Sequence, residues 1–268
     1  MPTVDSRTID YQESGDGPAI LFLPGSFSTP AAWRAVQNYL PQEYRFIGTS
    51  LCGYGGTAET RTLDDPDMAH QVRVVETVAN HIGTPVHLVG HSFGGAVALA
   101  AALSGRIDIL SITTFEASAI YLLRDHRQTD IMANLRGMSD AFEAAYDAGE
   151  RDAAKRVIDY WGGPGSFDAM PEAAKEYCRT TTASNVLDWR TGYAVDAAPA
   201  DFTRLDVPVL LVRGACANPA MVQITEALIP HLPDVRMAAI DGASHFLIST
   251  HAEACARLLS RFLAEVAR

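Results

Sequence analysis

The stretch PVHLVGHSFGGAVALAAALSG, Pro85 to Gly105, constrains the fold of this chain more than any other. Its first third is a short apolar run that reads as a buried strand. From Phe93 onward it is small and apolar all round, as a helix packed tightly on a sheet must be. No linker separates the two. A strand that runs straight into a helix forces a sharp turn, and Gly90-His91-Ser92-Phe93-Gly94 places the pattern G-x-S-x-G in that turn. The turn residue, Ser92, is strained, and small neighbours are needed where its backbone passes other segments. Its hydroxyl is pushed up above the sheet edge, and the N–H of Phe93 points to the same spot from the first helical turn.

The rest of the chain repeats the alternation. AILFL (Ala19 to Leu23), YRFIGTS (Tyr44 to Ser50), IDILSITTFE (Ile107 to Glu116), PVLLVR (Pro208 to Arg213) and VRMAAID (Val235 to Asp241) read as further strands. TPAAWRAVQNYL, with Thr29 as cap and Pro30 in the first turn, and DMAHQVRVVETVANHI, stopped by Gly83, read as helices between them. Such alternation predicts an α/β domain with a mostly parallel sheet covered on both faces. TVDSRTIDYQES at the start reads as an antiparallel hairpin at the sheet edge. One interval breaks the rhythm. From Ser118 to Ala200 there are helical patterns, SDAFEAAYDAG, ERDAAKRVIDYW and PEAAKEYCRTT, but no convincing strand, and many of the aromatics. The expected division is a core of residues 1–117 and 201–268 with a helical cap at 118–200.

Composition removes several classes of function. The net charge of −11 comes with no basic cluster, which argues against nucleic acid. No apolar run approaches the length of a membrane span, and the N-terminal stretch lacks the apolar core of a signal peptide. Cys52, Cys178, Cys216 and Cys255 are scattered and form no CxxC pair, which argues against a structural zinc site and fits free thiols in a reducing cytoplasm. No metal and no cofactor is expected. A dinucleotide site needs G-x-G-x-x-G, and Ser92 stands where the second glycine would be.

A serine becomes a nucleophile only beside a base. AIDGASHFLIST supplies His245, in a loop after the last strand and before the last helix. Acyl transfer also develops an oxyanion, which needs two preset donors. The N–H of Phe93 is one. The loop after AILFL reads PGSFST, and the N–H of Ser26 is the candidate for the second.

With these residues in place the chain resembles the α/β-hydrolase superfamily over essentially its full length. PGSFST resembles the family's His-Gly oxyanion loop, with Pro24 where histidine is common. SLCGYGGTAE resembles its Gly-x-Gly loop, with Ser50 where an acidic residue is often found; GHSFGG and GASHF match without departure. The resemblance implies an α/β-hydrolase fold with a helical cap, and the chain order of serine first and histidine last is that of this family. It says little about substrate, because the superfold hosts many reactions.

The third member of the expected triad is out of place. The turn after PVLLVR, where the family's aspartate usually lies, reads GACANPA. Asn218 stands about there, and an amide can orient a histidine but supplies no charge to an imidazolium. Asp241 lies only four residues before His245. Glu116, at the tip of the strand after the nucleophile helix, is the preferred acid: strand ends on this side converge on one crevice, and some family members, certain haloalkane dehalogenases among them, take their acid from that strand.

The expectation is a serine hydrolase with Ser92 as nucleophile, His245 as base, Glu116 as orienting acid, and the amides of Ser26 and Phe93 as oxyanion donors. Tyr121 and Trp161 are expected to face the pocket, and a small to medium apolar ester, lactone or related carbonyl compound is the expected substrate. A serine at the nucleophile position argues against epoxide hydrolase and dehalogenase activity, for which the family uses aspartate. A carbon–carbon bond hydrolase, a cofactor-free perhydrolase or an intracellular acyltransferase would use the same residues, and a hydrolase fold kept as a non-catalytic binding protein is the rival from another class. A homo-oligomer stays open.

Overall fold

Seven strands form the central sheet of the computed structural model, which describes residues 2–4, 7–124 and 129–267. Two short strands, β1 (Thr3–Val4) and β2 (Arg7–Thr8), pair with each other apart from it. The sheet consists of β3 (Tyr11–Ser14), β4 (Ala19–Leu23), β5 (Arg45–Thr49), β6 (Val86–His91), β7 (Ile109–Phe115), β8 (Val209–Gly214) and β9 (Val235–Ile240), in the order β3-β5-β4-β6-β7-β8-β9. Only β3 runs antiparallel, against β5; the other pairs are parallel. The N-terminal segment is thus a small hairpin followed by an edge strand, and not one hairpin at the sheet edge. Residues 5–6, between β1 and β2 in the sequence, lie outside the described residues.

Alternation along the strands builds two cores. Leu21, Leu23 and Leu88 face α2 (Ala69–Ile82), α3 (Phe93–Ser104) and α8 (Pro219–Leu228). Ile20, Phe22 and Val89 face the other way, onto α1 (Arg34–Gln37), α9 (Leu247–Thr250) and α10 (Ala252–Val266). Strands buried on both faces must be apolar on both, which is why AILFL is entirely buried. The first helix is shorter than its sequence pattern: Pro30–Trp33 is a 3₁₀ turn, α1 adds four residues, and Thr29 makes no side-chain cap bond.

Between β7 and β8 lie α4 (Thr129–Asp147), α5 (Lys155–Gly162), α6 (Glu172–Thr180) and α7 (Thr182–Ala194), with no strand among the described residues. Residues 125–128 of this interval lie outside the described residues. α4, α5 and α6 match the three helical patterns; α7 was not among them.

β6 and α3 are separated by Ser92 alone, which has a φ of 53° and a ψ of −123°. That left-handed backbone is rare for a residue with a side chain and is held only by tight surroundings. Gly94 provides them. A Cβ there would collide with the carbonyl oxygen of Pro24 and come within 2.5 Å of that of Leu23, backbone atoms at the end of β4 and just past it. Gly94→Ala should therefore lower unfolding stability by about 3 kcal/mol, the upper range of overpacking costs, because no side chain can give way. A denaturant titration that places the variant within 0.5 kcal/mol, roughly the scatter of neutral surface changes, would refute this account of the turn.

Candidate active site

Ser92, His245 and Glu116 form one hydrogen-bonded chain in the crevice above the strand tips. His245 Nε2 lies 2.9 Å from Ser92 Oγ, and His245 Nδ1 lies 2.8 Å from Glu116 Oε2. A carboxylate has no proton to offer, so Nδ1–H donates to Glu116 and Nε2 is free to accept from the Ser92 hydroxyl. All three are buried. Glu116 is the residue directly after β7, with its own φ at 48°. Its backbone N–H donates to Val212 O at 2.8 Å, and its Oε1 accepts from Gly214 N at 2.7 Å.

Neither Asn218 nor Asp241 takes the place of Glu116 on His245 Nδ1. Asn218 Oδ1 accepts from Ala220 N at 2.9 Å, capping α8, and its Nδ2 donates to Tyr160 O at 2.9 Å. Asp241 is exposed. The end of β8 binds Glu116 instead through a main-chain group, the Gly214 N–H. A Cβ on Gly214 would strike the carbonyl of Ala243, so glycine there lets the His245 loop close down on the strand tip.

Ser92 and His245 open into a cavity of about 60 Å³, lined also by Ser26 and Phe93. Its other walls are mainly apolar and include Ile120, Val157, Trp161 and Trp189 from the helical insertion. The Trp161 ring stacks on the His245 imidazole at 5.3 Å between centroids. Tyr121 is not part of this wall. Its side chain is 2% exposed and faces a separate groove between α2 and the end of α7. The cause is local: Ile120–Leu123 is a 3₁₀ turn, in which successive side chains point about 120° apart, so Ile120 takes the cavity and Tyr121 turns away.

A model of the alpha/beta hydrolase family matches residues 20–258. The chain belongs to that family. It is 24% identical to a fluoroacetate dehalogenase from a Burkholderia species, over 98% of this chain and 92% of that one. It is 28% identical to the pimeloyl-[acyl-carrier protein] methyl ester esterase of Aeromonas salmonicida, over 44% of this chain and 45% of the other. A thermophilic esterase from Thermogutta terrifontis superposes with a TM-score of 0.77 at 20% identity, covering 96% of this chain and 93% of its own.

Two features of this alpha/beta hydrolase join residues far apart in the sequence. The first is His91. Its Nε2–H donates to the carbonyl of His245 at 2.9 Å, so the residue before Ser92 holds the loop that carries His245. Burial, and then the neighbouring His245, push its pKa down to about 3, which keeps it neutral. The second is a buried polar cluster beside the cavity. Asp188 of α7 accepts from Arg61 Nη1 at 2.8 Å, Tyr54 Oη at 2.6 Å and Ser26 Oγ at 2.5 Å. Arg61 also binds Glu59 through Nε and Nη2, at 2.9 and 2.8 Å. Arg61 and Asp188 are 3% and 4% exposed. Ion pairs so deeply buried persist only when fully hydrogen-bonded, and this one is. Their separation of 127 positions leaves no local signal in the sequence.

Proposed function

We propose that this alpha/beta hydrolase is a serine hydrolase that cleaves small apolar esters through an acyl-enzyme. The observation that carries the reading is the relay Ser92–His245–Glu116, with bonds of 2.9 and 2.8 Å, opening into an apolar cavity. His245 Nε2 takes the Ser92 proton as Oγ attacks the ester carbonyl. The imidazolium so formed keeps its Nδ1–H on Glu116, whose charge stabilises it. The amides of Phe93 and Ser26 hold the oxyanion. His245 then protonates the leaving alcohol, and a water activated by the same base hydrolyses the acyl-enzyme. Trp161, stacked on the imidazole, keeps bulk water off the base. The similarity to a fluoroacetate dehalogenase does not favour dehalogenation here, because the family resemblance assigns aspartate to that nucleophile position and this chain has Ser92.

A cavity of about 60 Å³ holds only a few water-sized groups, at roughly 10–15 Å³ each, so the acyl chain should be short. A fluorophosphonate probe should label Ser92. In a series of p-nitrophenyl esters, kcat/KM should peak at about two to four acyl carbons and fall by about tenfold or more by eight, because each methylene that does not fit loses binding or forces strain. An unlabelled protein that hydrolyses no ester or lactone in the panel would sink the reading and favour a binding role.

A further inference from the structure

Asp188 belongs to a helix of the insertion, yet its carboxylate reaches the loop that carries Ser26. That loop is not in a conformation its residues prefer. Phe27 has a φ of 56°, left-handed for a residue with a side chain, so something outside the loop must hold it. The hydroxyl of Ser26 donates to Asp188 Oδ2 at 2.5 Å. A hydrogen bond to a charged acceptor is about twice as strong as one between neutral groups. The acceptor is itself fixed, by the Tyr54 hydroxyl on the same oxygen and by the Arg61 guanidinium on the other. Arg61 in turn lies 5.9 Å from the ring of Phe93, the residue after the serine.

We propose that Asp188 is a positioning residue, through which the helical insertion sets the Ser26 peptide for the oxyanion. This rests on the serine-hydrolase reading above. The oxyanion site is then complete only while α7 is seated, and catalysis is coupled to closure of the insertion over the cavity. The alternative is that the cluster merely bolts the insertion to the core. The two differ in what they do to turnover. Loss of a bolt loosens the cavity and raises KM. Loss of positioning lowers kcat, because an oxyanion donor acts in the transition state and little in the ground state. Charge separates them further. Asp188→Asn removes a negative charge near the developing oxyanion and leaves Arg61 with less compensation, so electrostatics alone would raise kcat.

The experiment uses the full chain with its best p-nitrophenyl ester. Ser26→Ala keeps the N–H and removes only the hydroxyl link; Asp188→Asn weakens the same link from the other side. Complete removal of an oxyanion donor lowers kcat by about 10²–10³-fold, so a loosened one should lower it by about 10–100-fold. KM should stay within about threefold. Binding of a trifluoromethyl ketone, which forms its own oxyanion on the serine, should weaken by about the same factor as kcat/KM. The double variant should be no worse than the more damaged single, since both break one interaction. Ser26→Thr, which keeps a hydroxyl, should recover most of the activity. Ser26 is on a half-buried loop, so its variant keeps the inference testable even where Asp188→Asn unfolds. A kcat for Ser26→Ala within twofold of wild type, effects of the two variants that add, or a change in KM alone overturns the assignment. In each of those cases a wild-type enzyme still labelled by the fluorophosphonate leaves the hydrolase reading standing; a wild type that is neither labelled nor active removes both.

Discussion

Ser92→Ala should lower kcat on the best ester by about 10⁴-fold or more, while the folded protein changes little. The side chain contributes one hydrogen bond, to His245 Nε2. Alanine occupies nearly the same volume at the same strained φ, so the turn neither gains nor loses room. The melting temperature should move by no more than a few degrees, the shift that about 1 kcal/mol gives in a chain of this size. Residual turnover should remain well above the rate in water, because the Phe93 and Ser26 amides and the cavity still bind the substrate in place. Single-turnover kinetics give the sharper check. The wild type should release a burst of p-nitrophenol equal to the enzyme concentration where deacylation is slow, and the variant none. A variant that turns over its best substrate at the wild-type rate would show that the nucleophile is another group or a water, and the acyl-enzyme mechanism would go with it.

How much of this could be read in the sequence depended on what kind of constraint shaped each residue. The turn at Ser92 left a dense local trace. A strand with no linker before a helix, and backbones in contact at Gly94, force small residues into adjacent positions, and such a run is legible. The parallel sheet was legible for a related reason: strands buried on both faces are apolar at every position, as AILFL is. Glu116 could be picked out because a carboxylate ending an apolar strand contradicts the pattern around it. α7 failed to register for the opposite reason. Its inward positions include Thr182, Asn185, Asp188 and Thr191, so its buried face is polar and no apolar stripe marks the helix. The periodicity that reveals a helix reports burial of hydrocarbon, and a helix that buries hydrogen-bonding groups escapes it. The Arg61–Asp188 pair and the His91 bond to the His245 carbonyl were invisible for want of any local signature: each joins residues more than 100 positions apart. Tyr121 was misplaced by one residue of a 3₁₀ turn, a scale at which sequence pattern has no resolving power.

Glu116→Gln should lower kcat by about 10²–10⁴-fold, and the reason lies in the two hydrogen bonds that the carboxylate accepts at once. One oxygen takes the N–H of Gly214 at 2.7 Å and the other takes His245 Nδ1–H at 2.8 Å. An amide can accept only on its oxygen. If that oxygen stays with His245, the NH₂ faces the Gly214 N–H, and two buried donors oppose each other. If it turns to Gly214, the NH₂ donates to Nδ1. The imidazole then carries its proton on Nε2, facing Ser92 with a donor where an acceptor is needed. In either orientation the imidazolium loses its counter-charge. The loss should fall mainly on kcat, because the substrate does not touch this group, and a fluorophosphonate should label the variant correspondingly more slowly. Asn218→Ala should behave differently. It removes the cap of α8, at a cost of about 1 kcal/mol in stability, and should leave kcat within about twofold. Nor should Asn218→Asp rescue Glu116→Gln. The Asn218 side chain is already engaged with Ala220 N and Tyr160 O, and a carboxylate there would set a negative charge against the Tyr160 carbonyl. Recovery of turnover in the double variant would mean that the turn after β8 can still supply the acid, and that Glu116 is not the only position in this fold able to orient the base.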